Sequence, residues 1–122
     1  VVLEGVVAER DERWHLERVA FPGGSLWMRD RGLPLENPVR VRIPSGGISL
    51  SRVPQQDSSI LNTLAGVVEA IGDDDHPAHS LVRVKIGKSV LLARITKRSV
   101  AALDLQPGLP VWAQIKSVAV AQ

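Results

Sequence analysis

Cysteine is absent from the 122 residues, so neither disulfide bonds nor a thiolate zinc site can form. Aromatic residues are also scarce: tyrosine is missing, and the four aromatic side chains are Trp14, Phe21, Trp27 and Trp112. OB-type domains that bind single-stranded nucleic acids use stacking aromatics in a basic groove. Four aromatics and a formal net charge of only +2 therefore disfavour a nucleic-acid partner.

Long hydrophobic runs are missing as well, and no tract is long enough to span a membrane. The segment Val1–Arg10 has neither the basic start nor the apolar run of a signal peptide, and the chain does not begin with Met. We expect it to be part of a longer protein in a reducing compartment. Hydrophobic residues still make up 44%, mostly Val, Leu, Ile and Ala, a composition that favours strands.

The chain contains two imperfect copies of one unit. Leu3–Val7 opens the first copy and Leu64–Val68 opens the second, each with the pattern Leu-x-Gly-Val-Val. Val39–Ser45 and Val111–Ser117 close them. We therefore predict a degenerate first subdomain over residues 1–53, a polar linker over 54–58 and a second subdomain over 59–122.

Apolar and polar residues alternate through both copies, as in Val82–Ile86, which is typical of half-buried strands. Thr96 is a suitable N-cap for a short helix over residues 97–103 of the second copy. The first copy lacks a counterpart, because Gly32, Pro34 and Pro38 oppose a helix there. The predicted fold is all-β, with two small OB-like antiparallel barrels and one short helix.

Three segments carry donors suited to an anion. The helix start offers the Thr96 and Ser99 hydroxyls beside two basic residues, and the unpaired N–H groups of a first helical turn favour anions. Lys116 and Ser117 end an apolar strand, and Ser58–Asn62 precedes the second copy. Each also has a plain structural interpretation: a capped helix, an edge lysine that prevents aggregation, and a turn-forming linker.

The segment Asp73–His79 groups carboxylates and imidazoles that could bind a metal, but its position between two strand patterns favours a solvated hairpin loop. We therefore expect no metal site. A Gly-rich phosphate loop with Lys and Ser/Thr is also missing, so these residues are not expected to hydrolyse ATP or to contain catalytic residues.

The second copy resembles the Mop, or molybdenum-pterin-binding, domains. Ser59–Asn62, followed by Leu64-x-Gly66-x-Val68, is similar to the N-terminal motif of these domains. Ala93–Thr96 with Ser99, and Leu105-x-Pro107-Gly108, are similar to their central motifs. Val111–Val118 is similar to their C-terminal motif. The resemblance covers about half of the chain, from Ser59 to Val120, and combines several separated motifs in order.

The first copy resembles, less well, the TOBE segment of ABC transporter ATP-binding subunits. The resemblance runs from Val39–Pro44 to Ile48–Leu50, although Ser45-Gly46-Gly47 interrupts it and the usual Asp is missing. The order of degenerate copy, linker and good Mop copy is most similar to the tail of the ATP-binding subunit of molybdate importers.

The resemblance implies a molybdate or tungstate ligand held between subunits, and no other cofactor. Its ligands would be Ser59, Thr96, Ser99 and Lys116, with Ser117 beside them and the backbone of Ile60 and Leu61. Many members have Arg or Lys where this chain has Leu61. Molybdate is a dianion that only accepts hydrogen bonds, and this ligand set consists of donors without a carboxylate. Hydrogen phosphate carries a proton that needs an acceptor, so the set disfavours it. Sulfate carries no such proton and must be rejected by its size.

The function implied is regulatory: oxyanion sensing in a molybdate importer, in the cytoplasm at the inner face of the membrane. The partners implied are a second copy of the domain, the ATPase domain, which would hydrolyse ATP, and the permease subunits. One alternative is molybdate storage, which the degenerate first copy disfavours. Another is a structural dimerisation module that has lost its ligand, which Leu61 keeps open.

Overall fold

The computed structural model describes residues 1–121, which form ten strands and one α-helix. The helix, α1, spans Lys97–Ala102, and a 3-10 turn spans Ser45–Gly47. In the first half the strands are β1 (Val2–Asp11), β2 (Leu16–Phe21), β3 (Gly24–Arg29), β4 (Pro38–Arg42) and β5 (Ile48–Ser51). In the second half they are β6 (Asn62–Asp73), β7 (His79–Ile86), β8 (Ser89–Thr96), β9 (Pro110–Ile115) and β10 (Ala119–Val120).

The strands form two five-stranded antiparallel sheets. The first sheet has the order β10-β4-β1-β2-β3 and the second has the order β5-β9-β6-β7-β8. Alternation buries one face of each strand; in β7, for example, Ser80, Val82, Val84 and Ile86 are buried. The prediction of an all-β fold with two OB-like units and one short helix is confirmed.

The register of the strands confirms the internal repeat. Leu3 pairs with Val41 in the first sheet, and Leu64 pairs with Ala113 in the second. β1 and β6 each contain a bulge directly after the Leu-x-Gly-Val-Val motif, between Val7 and Glu9 in β1 and between Val68 and Ala70 in β6. Bulges increase local twist, so both sheets curl at the same place.

Each half gives its last strand to the other sheet. β5 follows the first copy in the chain but pairs with β9 of the second sheet, and Ile48 lies opposite Ile115. β10 follows the second copy but pairs with β4 of the first sheet, and Ala119 lies opposite Arg42. Sheet membership thus crosses the predicted bounds 1–53 and 59–122 in both directions, and that division into folding units stays a prediction.

The two sheets also touch through their β-hairpins. Gly23, at the turn between β2 and β3, packs on Gly87, at the turn between β7 and β8; a Cβ on Gly23 would lie 2.0 Å from the carbonyl oxygen of Ile86. Both glycines have positive φ, 110° and 57°, which side chains other than glycine rarely adopt. The hydroxyl of Ser89 donates to the carbonyl oxygen of Pro22 at the same contact.

The helix begins where it was predicted. Thr96 has extended backbone angles, and its hydroxyl accepts a hydrogen bond from the Ser99 N–H, as an N-cap does. The predicted range 97–103 includes Leu103, which is the C-cap rather than a helical residue. Between β3 and β4 the described chain is irregular, as the glycine and prolines there predicted. Across residues 1–121, no helix has the length and apolar character needed to cross a membrane.

Candidate functional site

The two segments that carry the exchanged strands meet at one point. Ser45–Gly47 leads from the first sheet to β5, and Lys116–Val118 leads from the second sheet to β10. The backbone N–H of Lys116 donates to the carbonyl oxygen of Gly47 at 2.9 Å. A Cβ on Gly47 would lie only 3.0 Å from the Cβ of Ser117, so the close approach of the two segments favours glycine at this position.

A cavity of about 170 Å³ lies beside this crossing. It is lined by both crossing segments, by the start of β5 and by the loop before β6: Gly46, Gly47, Ile48, Ser49, Ile60, Lys116 and Ser117. Three of the predicted ligands, Ile60, Lys116 and Ser117, are therefore brought together. They come from two places more than 50 residues apart in the sequence, which pairing of β9 with β5 and β6 brings to one edge.

The electrostatics of this cavity favour an anion. Its walls carry the Lys116 ammonium and no carboxylate. Within residues 1–121, no acidic side chain lies within 4.0 Å of that ammonium, whereas Lys97 is paired with Asp73 at 3.1 Å. Three larger cavities have at least one carboxylate on their walls, Glu4 in two of them and Glu9, Asp11 and Glu12 in the third. These carboxylates disfavour a dianion, although bases also line two of these cavities, Arg40 and Lys88 in one and Arg10 in another.

A fourth larger cavity, of about 470 Å³, lies between β3 and β10 and contains two arginines, Arg29 and Arg31. The charge of Arg31 is already compensated, because its Nε lies 3.0 Å from Oε1 of the fully buried Glu17. The opposite wall is Val118–Val120, which offers no side-chain donor. The smaller cavity at the crossing is thus the better match to the donor set predicted from the sequence.

The hydrogen-bonding groups around the small cavity are only partly available. The Ser49 hydroxyl already donates to Oε1 of Gln114 at 2.9 Å, and the Ile60 N–H already donates to the Ser58 hydroxyl at 3.1 Å. Ser117 is exposed, and its hydroxyl makes no hydrogen bond within the described chain. Lys116 and Ser117 are therefore the donors that need no rearrangement to meet a ligand.

Two other predicted ligands, Ser59 and Leu61, are exposed and do not line the cavity. Leu61 leaves 58% of its surface accessible. Its neighbour Asn62 is held firmly, since its side chain pairs with the backbone of Trp27 in the first sheet. The loop Ser58–Leu61 is thus anchored at one end and, apart from the half-buried Ile60 on the cavity wall, exposed to solvent.

Thr96 and Ser99 lie at a different place in the chain from this cavity and do not line it. Their hydroxyls lie 3.0 Å apart, and Thr96 Oγ1 also accepts from the Ser99 N–H at 3.1 Å. The first N–H of the helix, that of Lys97, donates to the carbonyl oxygen of Ala78 at 2.8 Å. The geometry within one chain is that of a capped helix.

The loop Asp73–His79 packs against this helix start. Asp74 Oδ2 lies 3.0 Å from Arg94 Nε and Asp73 Oδ1 lies 3.1 Å from Lys97 Nζ, so both carboxylates are used to pair with bases. Across residues 1–121, no group of three or more acidic or imidazole side chains is arranged to hold a metal ion. The segment acts as a hairpin loop that reduces the positive charge next to Thr96.

Sequence reasoning missed four residues that line the cavity, and it missed the contact that Asn62 makes beside it. Gly46, Gly47, Ile48 and Ser49 belong to the first copy, which the sequence assigned to a separate subdomain. Asn62 belongs to the Ser59–Asn62 motif, but its hydrogen bonds to Trp27 join residues 35 positions apart, and nothing in the local sequence predicts them. The interruption Ser45-Gly46-Gly47 was the available clue, because two adjacent glycines suit a close approach of two backbones.

Comparison with protein families matches residues 58–122 to the TOBE domain. The chain belongs to the TOBE domain family. The match starts at Ser58, just before Ser59–Asn62, and it includes Lys116 and Ser117.

Similar proteins share nearly all of this chain but are much longer. The chain is 57% identical over 118 residues to the molybdenum import ATP-binding protein ModC of Methylococcus capsulatus, which covers 97% of the chain and 33% of that protein. It is 56% identical over 119 residues to the protein of the same name from Thiobacillus denitrificans, covering 98% of the chain and 33% of that protein. The chain thus spans about a third of the length of these relatives.

A solved structure has the same fold. The cytoplasmic molybdate-binding protein ModG, in a crystal form with molybdate bound, matches with a TM-score of 0.78 and 20% sequence identity, covering 99% of this chain and 96% of that one. At this identity the likeness establishes the fold alone. The match extends over both halves of the chain, so the fold as a whole is a known one.

Proposed function

We propose that this chain is a regulatory domain that binds a tetrahedral oxyanion, molybdate or tungstate, in the ATP-binding subunit of a molybdate importer. The observation that carries the proposal is the cavity at the strand crossing, where Lys116 has no acidic partner among the described residues and the walls hold no carboxylate. The relatives named as molybdenum import ATP-binding proteins support the setting.

The chemistry of the cavity suits a dianion that is fully deprotonated. Molybdate and tungstate accept hydrogen bonds and donate none at neutral pH, and Lys116 and Ser117 supply donors. Hydrogen phosphate carries a proton that needs an acceptor, and the carboxylates that would serve are missing from the walls. A charge-assisted bond from Lys116 is the strongest single contact available.

We propose that two copies of the chain complete the predicted ligand set. Thr96 and Ser99 do not line the cavity that holds Lys116, so we propose that they approach the anion from a second copy in a homodimer. This arrangement agrees with the resemblance to Mop domains, which hold their ligand between subunits. Ser59 and the backbone of Ile60 and Leu61 would then close the site from the loop before β6, after the Ile60 N–H leaves Ser58.

The position of the cavity suits transmission of the binding signal. Its walls come from both crossing segments, so a bound anion would link the first sheet to the second and, in the proposed homodimer, one copy to the other. A ligand changes an equilibrium only by the difference in its affinity for the two states. A dimer arrangement that brings the donors together would be stabilised by the anion and would bias the attached ATPase domains, which would hydrolyse ATP next to the permease subunits at the inner face of the membrane.

One alternative also has an observation in its favour. Leu61, at a position where the resembled Mop domains often have Arg or Lys, is 58% exposed, and the Ile60 N–H already donates to the Ser58 hydroxyl. Both facts suit a structural dimerisation module that no longer binds an anion. Such a module would dimerise without added oxyanion and would show no heat of binding.

The test is calorimetric titration of the chain with molybdate, tungstate, sulfate and phosphate, beside the variant Lys116→Met. Loss of a hydrogen bond to a charged group costs about 1.5–3 kcal/mol, which is roughly tenfold or more in affinity. Lys85→Met is the matched control, because Lys85 is exposed on β7 and does not line the cavity. Equal affinities for Lys116→Met and the parent would refute the role of this cavity.

A further inference from the structure

The two glycines on the cavity wall differ in their surroundings. A Cβ on Gly47 would be only 3.0 Å from Ser117, so the crossing of the two segments explains that glycine. A Cβ on Gly46 would have no atom within 4 Å, and Gly46 does not have the positive φ that favours glycine. Neither packing nor backbone conformation therefore requires glycine at position 46, although this residue lines the cavity.

We propose that Gly46 sets the size of the anion that the cavity accepts, by leaving open the space that any other side chain would fill. The inference rests on the proposed oxyanion function and adds its selectivity. It assigns to the first copy a direct part in a site whose charged donor, Lys116, belongs to the second copy.

Size is the property that must separate these ligands. Sulfate, molybdate and tungstate are all tetrahedral dianions, so the charge of Lys116 and the donors around it attract each of them. Molybdate and tungstate are larger, because bonds from oxygen to molybdenum or tungsten are longer than bonds to sulfur. The cavity has a volume of about 170 Å³, and Gly46 forms part of its wall.

The expected effect of filling this space is therefore asymmetric. An alanine at position 46 would crowd the larger anions and leave the smaller one nearly unaffected. Selectivity between similar ligands is commonly achieved by such a steric penalty against one of them. The native glycine avoids that penalty for molybdate and tungstate.

The experiment is titration of Gly46→Ala with molybdate, tungstate and sulfate beside the parent. We expect affinity for molybdate and tungstate to fall roughly tenfold and affinity for sulfate to change by less than about twofold. Gly72→Ala is the matched control: Gly72 is also free of atoms within 4 Å of an added Cβ, lacks positive φ and does not line the cavity. Both variants should unfold at or above the parent's Tm, since alanine at a compatible glycine position is stabilising.

Two results would overturn the inference while leaving the proposed function intact. The first is a parent that binds molybdate and a Gly46→Ala variant that binds it equally well. The second is a loss that is equal for sulfate and molybdate, which would mean general damage to the site. A parent that binds none of the anions would instead refute the proposed function, and the size filter with it.

Discussion

The side chain of Asn62 pairs with both backbone polar groups of Trp27. The Trp27 N–H donates to Asn62 Oδ1 at 2.8 Å, and Asn62 Nδ2 donates to the Trp27 carbonyl oxygen at 2.9 Å. Asn62 begins β6 of the second sheet and Trp27 lies in β3 of the first. The amide side chain of Asn62 thus makes the two hydrogen bonds that the backbone of a neighbouring strand would otherwise make. It also fixes the end of the loop Ser58–Leu61, which the proposed site uses.

Replacing Asn62 with alanine should lower the free energy of unfolding by about 1–3 kcal/mol, because a half-buried N–H and carbonyl lose their partners. Chemical denaturation measures the change. Asn37→Ala is the control: the Asn37 side chain donates only to the neighbouring Pro38 carbonyl, and the expected loss is within about 0.5 kcal/mol. Equal stability of the Asn62→Ala and Asn37→Ala variants would show that the link between the sheets is not energetically important.

A second prediction concerns a buried charge. Glu17 is fully buried in β2 opposite Met28, in the register position that Val82 occupies opposite Ala93 in the second sheet. Its Oε1 accepts from both the backbone N–H and the Nε of Arg31, at 3.1 and 3.0 Å. Removing only Arg31, as in Arg31→Met, leaves an uncompensated carboxylate and should cost up to about 3–5 kcal/mol.

The double variant Glu17→Val with Arg31→Met should recover most of that loss, because it removes both charges and restores the residue type that the second copy uses. Urea unfolding of the parent, the two single variants and the double variant gives the coupling between the residues. A double variant as unstable as Arg31→Met would mean that the first sheet needs the polar pair for reasons other than charge balance.

The sequence predicted the strands and the repeat well, since alternation in segments such as Val82–Ile86 reports burial directly. It did not predict which sheet Ile48–Ser51 joins, because a four-residue strand has no local feature that selects its partner. The cavity was not predicted either, because its walls depend on the pairing of β5 with the second sheet. Lys116 was identified by resemblance, whereas Gly46 and Gly47 lay in a segment that interrupted the resemblance. Pairing between strands that are distant in the sequence places these residues together, and the local sequence pattern does not reveal that pairing.

A third prediction is a pH dependence of stability. The Gly32 N–H donates to Asp30 Oδ1 at 2.9 Å and the Arg10 guanidinium lies 2.9 Å from Oδ2, and together they hold the pKa of Asp30 below its ordinary value. With a lowered pKa in the folded state, the unfolded chain takes up the proton first as the pH falls. The stabilisation is thus complete above the ordinary pKa of Asp and is lost as the pH falls through the folded pKa.

Thermal unfolding from pH 7 to pH 3 checks this sign. The parent should exceed Asp30→Asn in Tm at neutral pH, and the gap should narrow as the pH falls below the ordinary range of an aspartate. Glu36→Gln serves as the control, since Glu36 is exposed and has no ion pair within residues 1–121. A gap that stays constant over the whole range would refute the assignment to Asp30.

The last prediction decides whether Thr96 is a helix cap alone or also a ligand supplied by a second copy. As a cap it accepts from the Ser99 N–H, so Thr96→Val should cost about 1 kcal/mol of stability in either case. If it is also a ligand, the variant should bind molybdate more weakly than its stability loss explains, as Lys116→Met does. Thr63→Val, on β6 beside Asn62, is a control for the substitution itself.

Mixing the two variants then shows whether one site draws on two chains. In a symmetric dimer each copy contributes Lys116 to one site and Thr96 to the other, so a heterodimer of Thr96→Val and Lys116→Met has one doubly altered site and one intact site. Random mixing should restore parental affinity in about a quarter of the sites, a fraction that titration can measure. If both variants are impaired alone and mixing restores nothing, the two residues act within one chain and the proposed arrangement between subunits is wrong.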